Sequence, residues 1–145
     1  MTKTWILVAD AHHAEIWVRQ GREQPEKANL LAPASQHRFA REIGSDKPGR
    51  AVASSDGHHS SVEPHVDPLE NEHRQFAREL TAFLERSLAE HGYDHLVVVA
   101  PPKMLGHLRT CRSPKLASLV VAEASKDLVK LPAEEIRAEI LALLA

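Results

Sequence analysis

His95-Leu96-Val97-Val98-Val99-Ala100-Pro101-Pro102 is the stretch on which the fold turns. An almost unbroken β-branched run of this length is the mark of a central strand covered on both faces, and the two prolines end it. Such a strand needs helices on both sides and parallel neighbours reached by crossovers, so the run predicts an α/β chain.

Immediately upstream, Asp67-Pro68-Leu69-Glu70 carries the signals of a helix start. Asp67 suits the cap, Pro68 the first helical position, and Glu70 the third, where a capping-box carboxylate belongs. Leu69, His73, Phe76, Leu80, Leu84 and Leu88 then recur at helical spacing, Phe83 widens the stripe, and His91-Gly92 supplies the stop. The spacing predicts one long amphipathic helix over residues 69–90, lying on one face of the sheet.

Downstream, Met104, Leu105 and Leu108 mark a short helix, Pro114 starts a further turn, and a strand is expected near residues 119–124. Pro132 opens a last helix, with Glu134 and Glu135 in its favourable first turn and Ile136, Ile140, Leu143 and Leu144 on its core side. At the other end of the chain, Thr4-Trp5-Ile6-Leu7-Val8-Ala9 and Ala14-Glu15-Ile16-Trp17-Val18-Arg19 form a hairpin across Asp10-Ala11-His12-His13. Residues 28–34 offer a third strand. The order is β-β-β-α-β-α-β-α, a mixed sheet with parallel inner strands and helices packed on its faces.

A chain of 145 residues builds one core and not two, so residues 1–145 are read as a single domain. No apolar run reaches transmembrane length, and no membrane partner is expected. Met1-Thr2-Lys3-Thr4-Trp5 runs straight into a strand without the apolar region and cleavage site of a signal peptide, which points to the cytoplasm. Cys111 is the only cysteine, leaving no intramolecular disulfide and no thiolate zinc cluster. The formal net charge of -2 argues against indiscriminate nucleic-acid binding by the whole surface, so any such binding must come from a local patch.

One local patch lies in the long polar loop at about residues 35–66, punctuated by Gly44, Pro48, Gly49, Gly57 and Pro64. Arg38, Arg41, Lys47 and Arg50 are candidate phosphate contacts there, with Glu42 and Asp46 as counter-charges. His58, His59 and His65, with Glu63 and Asp67, carry enough donors for a metal, but their spacing matches no tight metal motif. Lys103, His107 and Arg109 follow the end of the β-branched strand, where α/β folds place ligands, and form a candidate polar pocket.

Trp5-Ile6-Leu7-Val8-Ala9-Asp10 with Ala14, Ser45-Asp46-Lys47-Pro48-Gly49-Arg50, Glu70-Asn71-Glu72-His73-Arg74-Gln75-Phe76-Ala77, Ala100-Pro101-Pro102 with Leu105-Gly106-His107-Leu108-Arg109, and Lys126-Asp127-Leu128 resemble the bacterial host attachment protein family. That family looks related to the middle domain of archaeal and eukaryotic peptide-chain release factors. The resemblance therefore implies a ribonuclease-H-like fold, in agreement with the element order. Release factors act through a Gly-Gly-Gln loop before the long helix; here Gly49-Arg50 is followed by Ala51-Val52 and no Gly-Gly-Gln occurs. The resemblance thus does not carry peptidyl-tRNA hydrolysis by that loop.

Nucleases of ribonuclease-H-like architecture resemble two-metal machines, and Asp10, Glu72 (or Glu79) and Asp127 are the carboxylates such a site would use. Against this, Asp10 suits a hairpin turn and the two glutamates suit a solvated helix face. The function expected is a noncatalytic release-factor-like protein without a cofactor, engaging RNA or the ribosome through its basic loop. The alternatives are a metal-dependent phosphodiesterase and an indirect host-attachment factor.

Overall fold

The computed structural model describes residues 1–28 and 68–145. Its elements are β1 (Lys3–Ala9), β2 (Ala14–Gln20), β3 (Glu26–Lys27), α1 (Pro68–His91), β4 (His95–Ala100), α2 (Pro102–Cys111), α3 (Pro114–Leu119), β5 (Val120–Ser125) and α4 (Ala133–Leu144). The five strands lie in the order β3-β2-β1-β4-β5. β1 runs antiparallel to β2 and parallel to β4, and β4 runs parallel to β5. This is the mixed α/β sheet that the element order predicts, in the ribonuclease-H-like arrangement that the resemblance implies.

Each strand pairing follows from its connection. Only four residues separate β1 from β2, too few for anything but a hairpin, whereas α1 stands before β4 and α2 with α3 before β5, long enough for parallel crossovers. The start of β1 is locked to β4 by a reciprocal pair: the Lys3 amide donates to Asp94 Oδ2 at 2.8 Å and the Asp94 amide to the Lys3 carbonyl at 2.8 Å. Gly92 ends α1 at φ 67, the left-handed conformation that a helix stop favours and that glycine adopts without a Cβ clash.

Alternation along β1 and β4 sends side chains into two separate cores. Trp5, Leu7, Leu96 and Val98 face α1 and α2, meeting Phe76, Leu80, Leu84, Met104, Leu105 and Leu108. Ile6, Val8, Val97 and Val99 face the other way, where Ile136 and Ile140 of α4 cover them with Trp17 and Leu128. Tyr93 closes the first core. Its ring stacks on Trp5 at 4.6 Å and its hydroxyl donates to the Leu84 carbonyl at 2.8 Å. Burial, with the Glu85 carboxylate adding to it, pushes the Tyr93 phenol well above its usual range, so it stays a neutral donor.

Several positions differ from expectation. The β-branched run is an interior strand as expected, β4 pairing on both sides, while the middle place of the five belongs to β1. The described part of the third strand is Glu26–Lys27, ahead of the expected stretch, and positions 29–34 lie outside the described residues. Leu69 is 45% exposed although it matches the helical stripe, because the buried face of α1 is set by Phe76, Ala77, Leu80, Thr81, Leu84 and Ser87 and begins two turns later. Pro132 opens α4 as expected, standing at its N-cap. The cap assigned to Asp67 lies outside the described residues.

Phe76→Ala is expected to destabilise the domain by about 3–5 kcal/mol, because a fully buried ring is removed from between α1 and the sheet. Tyr93→Phe, which deletes only the hydroxyl, should cost about 1 kcal/mol. Urea denaturation of both variants beside the parent checks the ranking.

Candidate functional site at the α1 and α2 cleft

The two helices on the first core leave an open cleft between their outward faces. Its volume is about 330 Å³ and its lining is Arg74, Arg78, His107, Thr110 and Cys111. Arg74 and Arg78 are one helical turn apart on α1, so they project side by side. On α2 the buried Met104, Leu105 and Leu108 hold the helix to the core and turn His107, Thr110 and Cys111 towards α1.

Charges in the cleft are unevenly balanced. His107 Nε2 lies 3.1 Å from Glu70 Oε2, at ion-pair distance but without the angle of a hydrogen bond. Arg78 donates through Nε and Nη2 to Gln75 Oε1, at 3.1 and 3.0 Å, which leaves its charge uncompensated. Arg74 is exposed, and neither arginine has a carboxylate partner among the described residues. Arg109 and Arg112, by contrast, are spent on Glu123: Arg109 Nη2 meets Oε1 at 2.7 Å and Arg112 Nη1 meets Oε2 at 2.5 Å. A pair of unspent guanidiniums beside a hydroxyl and a thiol is an arrangement that can hold an oxyanion.

Of the expected pocket, His107 lines this cleft, while Lys103 is exposed and outside its lining, and Arg109 turns to β5. The residues missed were Arg74, Arg78, Thr110 and Cys111. Two arginines four apart on the polar face of a predicted helix were the available signal, but nothing in the sequence says that a second helix lies against that face.

The carboxylates proposed for two metal ions are not brought together. Among the described residues no three His, Cys, Asp or Glu side chains could hold a metal ion. Asp10 Oδ1 instead accepts the amides of His12 at 2.8 Å and His13 at 2.6 Å, building the β1–β2 turn. Glu72 is half-buried on α1, Glu79 accepts from Gln75 Nε2 at 3.4 Å, and Asp127 is exposed beyond β5. Arg38, Arg41, Lys47 and Arg50, and the group His58, His59, Glu63, His65 and Asp67, lie outside the described residues.

Comparison with known families then places the chain. The family described as proteins required for attachment to host cells matches residues 5–140, nearly the whole sequence. The chain belongs to this family. A curated relative of this host-attachment protein, the uncharacterized protein RP470 of Rickettsia prowazekii (strain Madrid E), is 36% identical over 73 residues, or 49% of each chain. The match spans about half the length of that relative. Among the described residues of the host-attachment protein no helix is long and apolar enough to cross a membrane.

Two outcomes follow from these contacts. Asp10→Asn retains an acceptor for the turn amides and should leave stability within about 0.5 kcal/mol, whereas Asp10→Ala should lose about 1–3 kcal/mol in urea denaturation.

Glu123 gives a pH signature. Partial burial raises its carboxyl, but the hydrogen bonds from Arg109 and Arg112 and their charges together outweigh burial and hold it below its usual range. A depressed folded value means that this stabilisation is complete above the unfolded value of about 4.3 and is lost as pH falls through the folded value. Glu123→Gln should therefore cost about 1–3 kcal/mol near pH 7, and the gap to the parent should close below about pH 4. Denaturation midpoints over a pH series test it, and a gap independent of pH would refute the assignment.

Proposed function

We propose that this host-attachment protein is a noncatalytic, cytoplasmic, release-factor-like protein that binds RNA or a ribonucleoprotein through phosphate contacts. The observation that carries the reading is the Arg74 and Arg78 pair in the cleft, which has no carboxylate partner among the described residues, while Arg109 on α2 and Arg112 at its C-cap share Glu123. The basic residues Arg38, Arg41, Lys47 and Arg50 of the 35–66 segment extend the same chemistry in the sequence. With a formal net charge of -2, binding has to come from such local groups. On this reading the requirement for attachment to host cells is indirect, exerted through RNA or the ribosome.

Each arginine or lysine that neutralises a phosphate releases condensed counterions, so affinity falls with salt even when the protein is negative overall. Fluorescence anisotropy with labelled single-stranded and structured RNA over a salt series is the test. Arg74→Ala with Arg78→Ala should weaken binding and flatten the logarithmic salt slope by about 0.7 for each lost contact on single strands. Joint alanine substitution of Arg38, Arg41, Lys47 and Arg50 should do the same. Circular dichroism of each variant should match the parent. Equal affinity and equal slope for all three proteins would overturn the reading.

A further inference from the structure

The cleft is bounded more tightly than a surface that tracks a polynucleotide. We infer that it is a subsite for one phosphomonoester, the terminal phosphate of an RNA or a free nucleotide, rather than for the internal phosphodiesters of a strand. The inference deepens the phosphate-binding reading above and rests on it.

Three features of the lining lead there. First, the walls come from two helices, with Arg74 and Arg78 on one and His107, Thr110 and Cys111 on the other, so a ligand is enclosed from two sides in about 330 Å³. That is room for one small group with its polar partners close by, at the lower end of the range for small-molecule sites. Second, the charge matches. Arg74 and Arg78 are the formal charges of the lining, Glu70 lying outside it against His107, and a phosphomonoester carries about -1.5 to -2 near neutral pH whereas an internal phosphodiester carries a single charge. Third, the Thr110 hydroxyl, which donates to the Gly106 carbonyl at 3.1 Å, can rotate to donate to a ligand oxygen instead, supplying a neutral donor beside the Arg74 guanidinium and the Arg78 N–H groups not held by Gln75.

Cys111 makes the site readable. It is the only cysteine in the chain, it is half-buried, and it lines the cleft, so a ligand held there restricts access to it. The experiment measures the rate of Cys111 alkylation by iodoacetamide at fixed pH and ionic strength. Inorganic phosphate and a nucleoside 5′-monophosphate should each slow the reaction saturably, to about one tenth at ten times the dissociation constant. The matching nucleoside and dimethyl phosphate should leave the rate unchanged. Arg74→Ala and Arg78→Ala should each lose the protection, and because both side chains lie on the solvent-facing side of α1 the fold should survive. Protection by dimethyl phosphate equal to that by phosphate, protection retained in both variants, or no protection by phosphate would each overturn the inference.

A second measurement decides the matter independently of thiol reactivity. Anisotropy with one RNA sequence carrying a 5′-phosphate, a 3′-phosphate or hydroxyl ends should show tighter binding of at least one phosphorylated form, the preference disappearing in Arg74→Ala. If all three bind alike and with the same salt slope, RNA binding stands and the terminal-phosphate subsite fails. If none binds while the nucleoside monophosphate still protects Cys111, the RNA reading fails and the ligand is a free nucleotide.

Discussion

The pairing of β1 with β4, parallel and buried on both faces, is the constraint on which the other elements depend. Ile6, Val8, Val97 and Val99 on one side and Trp5, Leu7, Leu96 and Val98 on the other cannot all be withdrawn from water by a single layer. A second layer is obligatory, and α4 supplies it. Arg137 shows how closely that layer is tied in: its Nε donates to the Pro25 carbonyl at 2.9 Å and its guanidinium lies 5.5 Å from the Trp17 ring centroid. The carboxy-terminal helix is thereby joined to the amino-terminal hairpin across most of the chain.

The same constraint creates the cleft. α1 and α2 both need the first core for their apolar stripes, so they lie side by side on one face of the sheet and their polar faces meet at an angle. Polar residues that either helix would otherwise hold in open water become walls of a shared concavity. Whether such residues neutralise one another or stay available is then a matter of partners. Arg109 and Arg112 find Glu123 on β5, and Arg74 and Arg78 find no carboxylate among the described residues. That contrast between structural and available cations underlies the proposed binding of phosphate.

Membership of the host-attachment family rests on residues 5–140, nearly the whole chain. The carboxylate best placed at the end of β1, Asp10, is engaged by two turn amides, so it serves the hairpin. A ribonuclease-H-like sheet supports many unrelated activities, and function has to be argued from the cleft and not from the sheet.

Local sequence patterns were enough to determine most of the fold. The β-branched run at Val97 to Val99, the apolar stripe and glycine stop of the long helix, the four-residue hairpin connection and the proline-marked last helix are short-range signals, and each names its element because backbone preference and hydrophobic period act within a few residues. The family resemblance was legible for the same reason, in contiguous motifs. Strand order across the sheet, the exposure of Leu69 and the cleft were not. Those depend on which helix faces lie against each other, a long-range outcome of burying two cores at once. His107 could be singled out from its position after a strand, but its companions Arg74 and Arg78 lie about thirty residues earlier and look like ordinary solvated helix arginines. Only the packing of α2 beside α1 makes them one site, because side chains distant in sequence share a cavity only when tertiary burial holds their backbones together.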